Sequence, residues 1–584
     1  MKVKYILFGV TLAGLITSCD VTDKSPIDSF TDKSYWTKVS DLEYYANGLY
    51  DKLDKPGVDK DNVSDNCVVT NPDSYLFNEK VIPATTKDTK WDWTQIRACN
   101  FFMQRYGTVD GTENEINPYV AEVRFFRALD YFDKIKAYGD VPWYEKDLQT
   151  SDTEELYKKR DSRDLVLGKV IEDLEFAIQW LPDYGQAVSG RLTKDAARTQ
   201  LARVCLYYGT YKKYHNETSS PSSEELLQKA VDLTNTIMAT GNYAIVKGSD
   251  AGCGQMPFEG YPLAYSNQFI QEDLASNKEC ILARIYEDGV LMHETARQAG
   301  SLGTGLSKDF VESFLCKDGK PISISDQYKG DATLDEEFTN RDPRMYQIID
   351  NSHKPYQVVN GERQVNLYPN CDGSSAVTGY PCVKYRSPLL LQAEANHTTY
   401  DWFVYRYAEV LLINAEANAE LGKCTQEVLD KTINQLRDRV EMAHLTTNPV
   451  ADPKAIDYGY SISPLIYEIR RERRIELISE GFRLDDLKRW NGMKVFENPK
   501  TMFGIRVTDA VRELYATSSI TFGDGENARP IMEFEGNTYL MQYKVRGLYP
   551  AGRKWAADDK RFLEPIPMDE VTLNPNLGQN PGWN

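Results

Sequence analysis

The sequence predicts a mainly α-helical protein with an irregular, loop-rich subdomain that contains short hairpins. Two observations support this fold class. Apolar residues recur at three- and four-residue spacing through about 31–242 and again through about 402–497, which is the period of amphipathic helices. Between these regions, over about 243–401, the helical period is mostly lost, and glycine, proline, tyrosine and asparagine are frequent. We also predict a second irregular insertion at about 498–560 and a C-terminal tail at 561–584.

The most strongly patterned segment covers residues 117–143 and predicts a central core helix. Asn117 is suited to cap its N-terminus, and Pro118 suits the first turn because no backbone donor is required there. Gly139 is placed to end the helix in a left-handed conformation. The apolar stripe consists of Phe125, Ala128, Leu129, Phe132 and Ile135. A stripe this rich in rings needs partner helices on more than one side.

Further helices are predicted on both sides of the irregular region, each from an apolar stripe and a start or stop signal. In the first region these are the stripe of residues 41–53, the Trp91-Asp92-Trp93 start, the Pro182 stop, the Thr193 cap, the capping box of Ser222 and Glu225, and the Gly241 stop. In the second they are the return of helical period at Trp402, the Gly422 stop, the stripe from Leu429 to Val440 and the Ser463-Pro464 start. The last helix is highly charged over 468–476, so we predict a salt-bridged structural helix with glutamate–arginine pairs along it.

Composition narrows the class of function. The chain has 584 residues, is 41% hydrophobic and 27% charged, and carries a net charge of −19. This acidity argues against a nucleic-acid partner, whose phosphates need a basic face. The 37 tyrosines outnumber the 21 phenylalanines. Because tyrosine combines an apolar ring with a polar tip, this ratio hints at a surface that faces carbohydrate or peptide.

The N-terminus is typical of a targeting segment. Lys2 and Lys4 precede an apolar run over 5–16 that is too short to span a bilayer but fits a signal peptide. The run leads to Ser18 and Cys19 in a pattern that resembles a bacterial lipobox. We therefore predict a signal peptide at 1–18, lipid attachment at Cys19 and a tether at 19–30, so that the chain is anchored to the membrane without spanning it. The alternative is an ordinary signal peptide with a chance cysteine.

Nine cysteines remain after Cys19, and none has the C-x-x-C spacing of a zinc or redox motif. A bridge between Cys371 and Cys382 is compatible with an oxidising compartment, but the sequence does not establish it.

Catalytic motifs are poorly represented. His293-Glu294 begins like a zinc-protease motif, but Arg297 stands where the second histidine is required. There is no G-x-S-x-G elbow and no phosphate-binding loop. A glycosidase needs only two suitably placed carboxylates, and the 87 acidic residues leave that alternative open. We predict a protein that is not an enzyme and needs no cofactor or metal.

Several motifs resemble those of the SusD/RagB family. The helix pattern E-x-R-F-x-R-A-x-x-Y-F is carried by Glu122, Arg124, Phe125, Arg127, Ala128, Tyr131 and Phe132, and is followed by Y-G-D-V-P at 138–142. The segments 405–412, 472–490 and 564–582 are similar to the family's R-Y-A-E-V-L-L, E-R-R-x-E-L…D-L-x-R-W and C-terminal motifs. These matches occur in the family's order along the chain.

The resemblance implies a SusD-like domain over 31–584, with four tetratricopeptide-like helix pairs and a less regular subdomain. It further implies a cell-surface lipoprotein of the outer membrane that covers a SusC-like, TonB-dependent β-barrel transporter. Members of the family mostly bind oligosaccharides, and some bind peptides. The motifs identify the scaffold and its partner but not the ligand, so glycan capture and oligopeptide capture both remain open.

The predicted ligand site is centred on Trp91, Trp93 and Asn100. Sugars present flat C–H faces that stack on rings, and hydroxyls that need polar partners. The two tryptophans follow an irregular stretch and lie outside the main apolar stripes, and in the resembling family this neighbourhood commonly contributes to the site. The alternative is that one of the tryptophans belongs to the core. Further candidates are Asp73, Tyr75, Tyr265, Tyr286 and Tyr328.

Overall fold

The fold is mainly α-helical, in agreement with the sequence. The computed structural model describes residues 35–247 and 264–583, apart from 353, 361, 367–368, 373–375 and 549–551. The predicted signal peptide, Cys19 and the predicted tether therefore lie outside the described residues. None of the helices described is both long and apolar enough to cross a bilayer.

The first scaffold region contains seven α-helices within the part described. They are α1 (Val39–Asn47), α2 (Thr94–Met103), α3 (Glu113–Tyr138), α4 (Thr153–Leu156), α5 (Arg163–Trp180), α6 (Lys194–Tyr214) and α7 (Ser223–Ala239). Helix α3 packs on α5, α5 on α6, and α6 on α7, so successive helices bury one another's apolar stripes. The predicted caps are confirmed: the side chains of Thr193 and Ser222 accept hydrogen bonds from the backbone of the first turns of α6 and α7.

Helix α3 is the predicted central helix, but it begins earlier than the sequence suggested. Thr112 caps it in a capping box with Glu115, so the cap predicted at Asn117 is wrong and Pro118 lies inside the helix. The helix ends at Gly139 as predicted, and the N–H of Gly139 bonds to the carbonyl of Ile135. Its φ of 70° is positive, but its ψ of −110° differs from the left-handed helical conformation that the sequence predicted. Most of the helix is buried in the largest apolar core.

The irregular region holds short elements, as predicted. Its described helices are α8 (Ala264–Asn267), α9 (Thr295–Gln298), α10 (Lys308–Ser313), α11 (Leu334–Phe338) and α12 (Arg344–Ile348). The described strands form four two-stranded antiparallel ladders: β1 (Cys67–Val69) with β3 (Thr304–Leu306), β2 (Cys280–Arg284) with β6 (Trp402–Arg406), and the hairpins β4 (Gln357–Val359) with β5 (Glu362–Gln364) and β7 (Ile531–Phe534) with β8 (Asn537–Leu540).

The second scaffold region starts later than predicted. Residues from Trp402 form strand β6 because they pair with β2, and the helix begins only at Tyr407. The helices of this region are α13 (Tyr407–Glu420), α14 (Gln426–Lys431), α15 (Ile433–Arg439), α16 (Pro464–Glu476) and α17 (Arg483–Arg489). The stripe from Leu429 to Val440 is divided between two helices, because the backbone breaks at Thr432. Two short helices follow, α18 (Asp509–Leu514) and α19 (Met568–Leu573).

Helix α16 is a buried ionic helix with a structural role. Ser463 caps it through a hydrogen bond from the backbone of Ile466, as predicted. Its charges mostly pair with other segments rather than along the helix. Glu476 accepts bonds from three buried guanidinium groups, at 2.5 Å from Arg439, 2.8 Å from Arg406 and 3.1 Å from Arg344. This helix therefore joins the scaffold to the irregular region by charge-assisted hydrogen bonds.

All eight cysteines in the described part of the chain are free thiols, including Cys371 and Cys382. The bridge that the sequence left open between these two is thus not formed in this structure.

Candidate functional site

A cavity of about 390 Å³ lies where the start of α2, the loop after α3, helix α4 and helix α19 meet. It brings together three of the predicted site residues, Trp91, Trp93 and Asn100. The other lining residues are Ile96, Arg97, Pro142, Tyr144, Lys146, Leu148, Leu156, Tyr157, Glu570, Leu573, Asn574 and Leu577. Rings and aliphatic side chains dominate this lining, with few polar groups among them.

Local backbone contacts fix the two tryptophans at the start of α2. The carboxylate of Asp92 accepts bonds from the backbone N–H and the hydroxyl of Thr94, which starts the helix directly after Trp93. From α3, the buried ammonium of Lys134 donates to the carbonyls of Lys90 and Asp92. The segment that carries both rings is therefore held from both ends by charged groups.

Trp91 is the more buried tryptophan and belongs to the core. It is 2% exposed and packs edge-on against Tyr138, with ring centroids 4.9 Å apart. Its indole N–H donates to Oε2 of Glu570 over 3.3 Å. The alternative that one tryptophan is a core residue thus describes Trp91, whose edge forms the floor of the pocket.

Trp93 is half-buried and forms a corner with Tyr144. The two ring centroids are 5.4 Å apart and the rings are inclined by 73°. Tyr144 is itself positioned by α3, because its backbone N–H donates to the hydroxyl of Tyr131 over 2.7 Å. Within the described chain, neither the indole N–H of Trp93 nor the hydroxyl of Tyr144 has a hydrogen-bond partner. Burial raises the pKa of Tyr144, so its hydroxyl stays protonated and can donate.

Asn100 lies at the wall of the pocket, but its side chain is committed to the scaffold. It is fully buried, its amide donates to the carbonyl of Tyr144 over 2.8 Å, and its carbonyl oxygen accepts from Arg127 over 3.1 Å. The role predicted for it, a direct bond to ligand hydroxyls, would require breaking these bonds. In this structure Asn100 instead holds the loop that carries Tyr144.

Glu570 is a pocket residue that sequence analysis did not identify. It lies on α19, and burial raises the pKa of its carboxyl above the usual value, which the hydrogen bond from Trp91 partly offsets. Its Oε1 atom accepts no hydrogen bond from any described residue. No pattern in the sequence connects position 570 with position 91. Only the C-terminal motifs signalled that this tail returns to the scaffold.

The cations at the pocket are already paired. Arg97 bonds through Nε to Asp147 over 2.8 Å, and Lys146 bonds to Asp152 over 2.9 Å. Since each positive charge has its own carboxylate and Glu570 adds a further negative charge, the pocket has no excess of positive charge.

Two predicted residues preceding the tryptophans lie elsewhere. Asp73 is exposed, and its carboxylate accepts the backbone N–H of Tyr75 in a turn. The ring of Tyr75 is 3% exposed, and its hydroxyl donates to the carbonyl of Arg561 over 2.6 Å. Neither lines the cavity that contains the tryptophans.

The three tyrosines predicted in the irregular region also lie away from this pocket. Tyr265 is fully buried, and its hydroxyl donates to the carbonyl of Glu476. Tyr286 is 7% exposed and packs edge-on against His293. Tyr328 is half-buried, and the guanidinium of Arg341 lies 5.3 Å from its ring centroid. Their surroundings are those of structural side chains.

A second cavity, of about 420 Å³, lies between the helical scaffold and the irregular region. Its charged groups bond to one another: Lys136 to Asp485 over 2.7 Å, and Arg203 to both oxygens of Glu409 over 2.7 and 2.8 Å. None of the predicted site residues lines this cavity. Across the described residues, no group of three or more histidine, cysteine, aspartate or glutamate side chains is arranged to hold a metal ion.

The fold and the pocket together define a class of mainly helical protein with a ring-lined cleft. Comparison with known proteins agrees with this class. A family model described as "SusD family" matches residues 266–583, and one described as "Starch-binding associating with outer membrane" matches residues 24–206. The first match spans more than half of the chain, and the chain therefore belongs to the SusD family.

Individual relatives are distant but similar along most of their length. SusD-like protein P2 of Formosa agariphila is 24% identical over 520 residues, which cover 85% of this chain and 92% of the relative. A SusD-like protein from Bacteroides fragilis has the same fold with a TM-score of 0.70 at 24% identity, covering 96% of this chain and all of that one. A SusD-like carbohydrate binding protein from the same species gives a TM-score of 0.66 at 21% identity, covering 93% of this chain and all of that one.

Proposed function

We propose that this protein captures oligosaccharides or polysaccharides outside the cell, without catalysis, and delivers them to a SusC-like, TonB-dependent transporter. The ligand binds in the pocket of Trp93, Tyr144 and Glu570. The observation that carries the proposal is that three residues lining one ring-lined cavity each carry a hydrogen-bonding group without a partner in the described chain. These groups are the Trp93 indole N–H, the Tyr144 hydroxyl and Oε1 of Glu570.

This combination matches the chemistry of a sugar. The flat C–H face of a pyranose ring stacks on Trp93 or Tyr144, and such stacking removes apolar surface from water. The two donors and the carboxylate then bond to hydroxyls around the rim of the sugar. Two similarities support the choice of ligand: one matching family model is described as starch-binding, and one structural relative is described as carbohydrate binding.

Oligopeptide capture by the same fold is the second candidate. It is favoured by the aliphatic part of the pocket, where Leu156 is 38% exposed and Leu573 is 68% exposed. Such side chains would also accommodate an apolar residue of a peptide.

A glycan array and an array of peptides, probed with the same purified protein, test the choice between these ligands. We expect binding to one or more glycans, with the affinity then measured by calorimetry. Trp93→Ala should reduce the affinity about tenfold, because stacking on part of one ring contributes about 1–2 kcal/mol. Trp180→Ala is the matched control, since Trp180 is also half-buried but packs on Phe176 outside the pocket. Binding to peptides alone, or equal affinities for both variants, would contradict the proposal.

The location of the protein is part of the same proposal. We infer that Cys19 carries lipid and anchors the chain to the outer membrane, facing outward, with the transporter as its partner. The support is the lipobox-like sequence and the family's described association with the outer membrane. Purification from native membranes in mild detergent should recover a TonB-dependent barrel with the protein. Repeated recovery of the protein alone, under conditions that keep other membrane complexes intact, would count against the partner.

A further inference from the structure

We propose that the pocket selects sugars that carry an N-acetyl group, so that the captured glycan contains N-acetylhexosamine. This inference rests on the proposed function and names the class of its substrate. It starts from the lining of the pocket, which combines rings and polar groups with five aliphatic side chains, called here the aliphatic part.

The aliphatic part is the feature that an unsubstituted sugar leaves unused. It consists of Ile96, Leu148, Leu156, Leu573 and Leu577. Of these, Leu156 and Leu573 remain well exposed although a burying contact would stabilise them. The hydroxyls of a plain hexose that faced these side chains would lose their hydrogen bonds to water without gaining others. The ligand therefore needs an apolar substituent next to its ring.

The polar part supplies a partner for an amide. The carboxylate of Glu570 keeps Oε1 without a partner in the described chain, while Oε2 accepts the indole N–H of Trp91. An amide N–H is a suitable donor to this oxygen, and a bond to a charged acceptor is stronger than one between neutral groups. The hydroxyl of Tyr144 can donate to an amide carbonyl.

An acetamido group unites these requirements on one substituent. Its methyl group fits the leucine side chains and its N–H fits Glu570, while the sugar ring to which it is attached stacks on Trp93. The two cations of the pocket lining, Arg97 and Lys146, are each paired with an aspartate. The pocket therefore does not favour a sugar that carries a carboxylate or a sulfate. A neutral acetylated amine is thus the substituent that uses both parts of the pocket.

Saturation-transfer NMR with matched sugars tests this inference. The probes are N-acetylglucosamine against glucose and N-acetylgalactosamine against galactose, which differ within each pair only at carbon 2. We expect the acetamido methyl protons to receive the strongest saturation, and each N-acetyl sugar to bind at least about tenfold more tightly than its parent, from burial of one methyl group and one bond to a charged acceptor.

Two variants locate the interaction. Leu573→Ser should weaken the methyl signal severalfold, and Glu570→Gln should reduce the preference for the N-acetyl sugar within each pair. The control is Leu514→Ser, because Leu514 is 46% exposed and ends a six-residue helix, as Leu573 does, but lies outside the pocket. Thermal melting should be the same for Leu573→Ser, Leu514→Ser and the parent, since both leucines are exposed.

The inference is overturned if the paired sugars saturate equally, if none of the four saturates, or if Leu573→Ser leaves the methyl signal unchanged. The arrays then separate this failure from failure of the proposed function. Binding only to glycans without N-acetyl groups would leave glycan capture standing and remove the N-acetyl preference. Binding only to peptides would remove both.

Discussion

Replacing Trp91 should mainly affect stability, whereas replacing Trp93 should mainly affect ligand affinity, although the two residues are nearly adjacent. Trp91 is 2% exposed and supports the pocket from the core, whereas Trp93 is half-buried with its indole N–H available. We expect Trp91→Ala to lower stability more than Trp93→Ala does, and Trp93→Ala to lower ligand affinity.

The magnitude follows from what Trp91 contacts. Truncating a fully buried tryptophan costs about 3–5 kcal/mol, because both its packing and the volume that it fills are lost. In this protein the loss includes the edge-on contacts with Tyr138 and Trp93, at centroid distances of 4.9 and 5.4 Å. Trp91→Phe keeps much of the ring but removes the hydrogen bond to Glu570. A hydrogen bond to a charged acceptor contributes about 1.5–3 kcal/mol at good geometry, and this one contributes less because it is 3.3 Å long.

Thermal melting followed by circular dichroism, together with calorimetry on the best ligand from the array, measures both effects. The order of melting temperatures should be parent, then Trp91→Phe, then Trp91→Ala, with Trp93→Ala above Trp91→Ala because Trp93 is less buried. If Trp91→Ala melts like the parent, Trp91 does not have the core role assigned to it. If Trp93→Ala melts as low as Trp91→Ala, Trp93 is a packing residue as well.

Three further predictions concern the ionic core and the anchor. Glu476→Gln should lower the melting temperature at neutral pH, because removing one partner of a buried ion pair costs about 3–5 kcal/mol. Burial raises the pKa of Glu476, but three guanidinium groups outweigh this effect and hold it far below its usual value of 4.5. Its stabilisation is therefore present above pH 4.5 and is lost as the pH falls through the lower folded value, so the deficit of the variant should shrink in acid. Lys488→Met should raise the melting temperature at pH 7, because burial lowers the pKa of Lys488 to about 8 although the nearby carboxylates of Glu564 and Asp485 partly offset this effect. The cost of its charge is largest below pH 8 and disappears as the pH rises above 10.5, so an equal or lower melting temperature of the variant at pH 7 would contradict this assignment. Cys19→Ala should abolish metabolic lipid labelling and release the protein from the membrane pellet, whereas unchanged retention would argue against lipidation.

Local patterns predicted most of the helical scaffold, because helix periods and caps are short-range signals. Thr193, Ser222 and Ser463 all cap helices where the sequence placed them. Predictions failed where distant contacts decided the outcome. Trp402 lies in strand β6 because that strand pairs with β2, where Arg284 is its partner, and no helical stripe can reveal that partner.

The candidate site was predicted only in part for the same reason. Trp91 and Trp93 were recognised because two rings next to an irregular segment are visible in the sequence. The commitment of Asn100 to the carbonyl of Tyr144, and the presence of Glu570 behind Trp91, depend on how remote segments fold together. Residue type alone cannot separate a polar side chain that is used by the scaffold from one that is available to a ligand.

One wall of the pocket is supplied by α19, close to the C-terminal end of the chain as given. Hydrogen bonds from the residues that follow α19 attach this segment to the scaffold. The side chain of Asn574 donates to the carbonyls of Leu156 and Lys158. The side chain of Asn580 donates to the carbonyls of Tyr138 and Glu564. During synthesis, the rings of the pocket would emerge hundreds of residues before the wall that encloses them. A nascent or prematurely terminated chain could thus form much of the helical scaffold and yet have an open, three-sided cleft. Ligand binding would then report that synthesis and folding had both extended through α19.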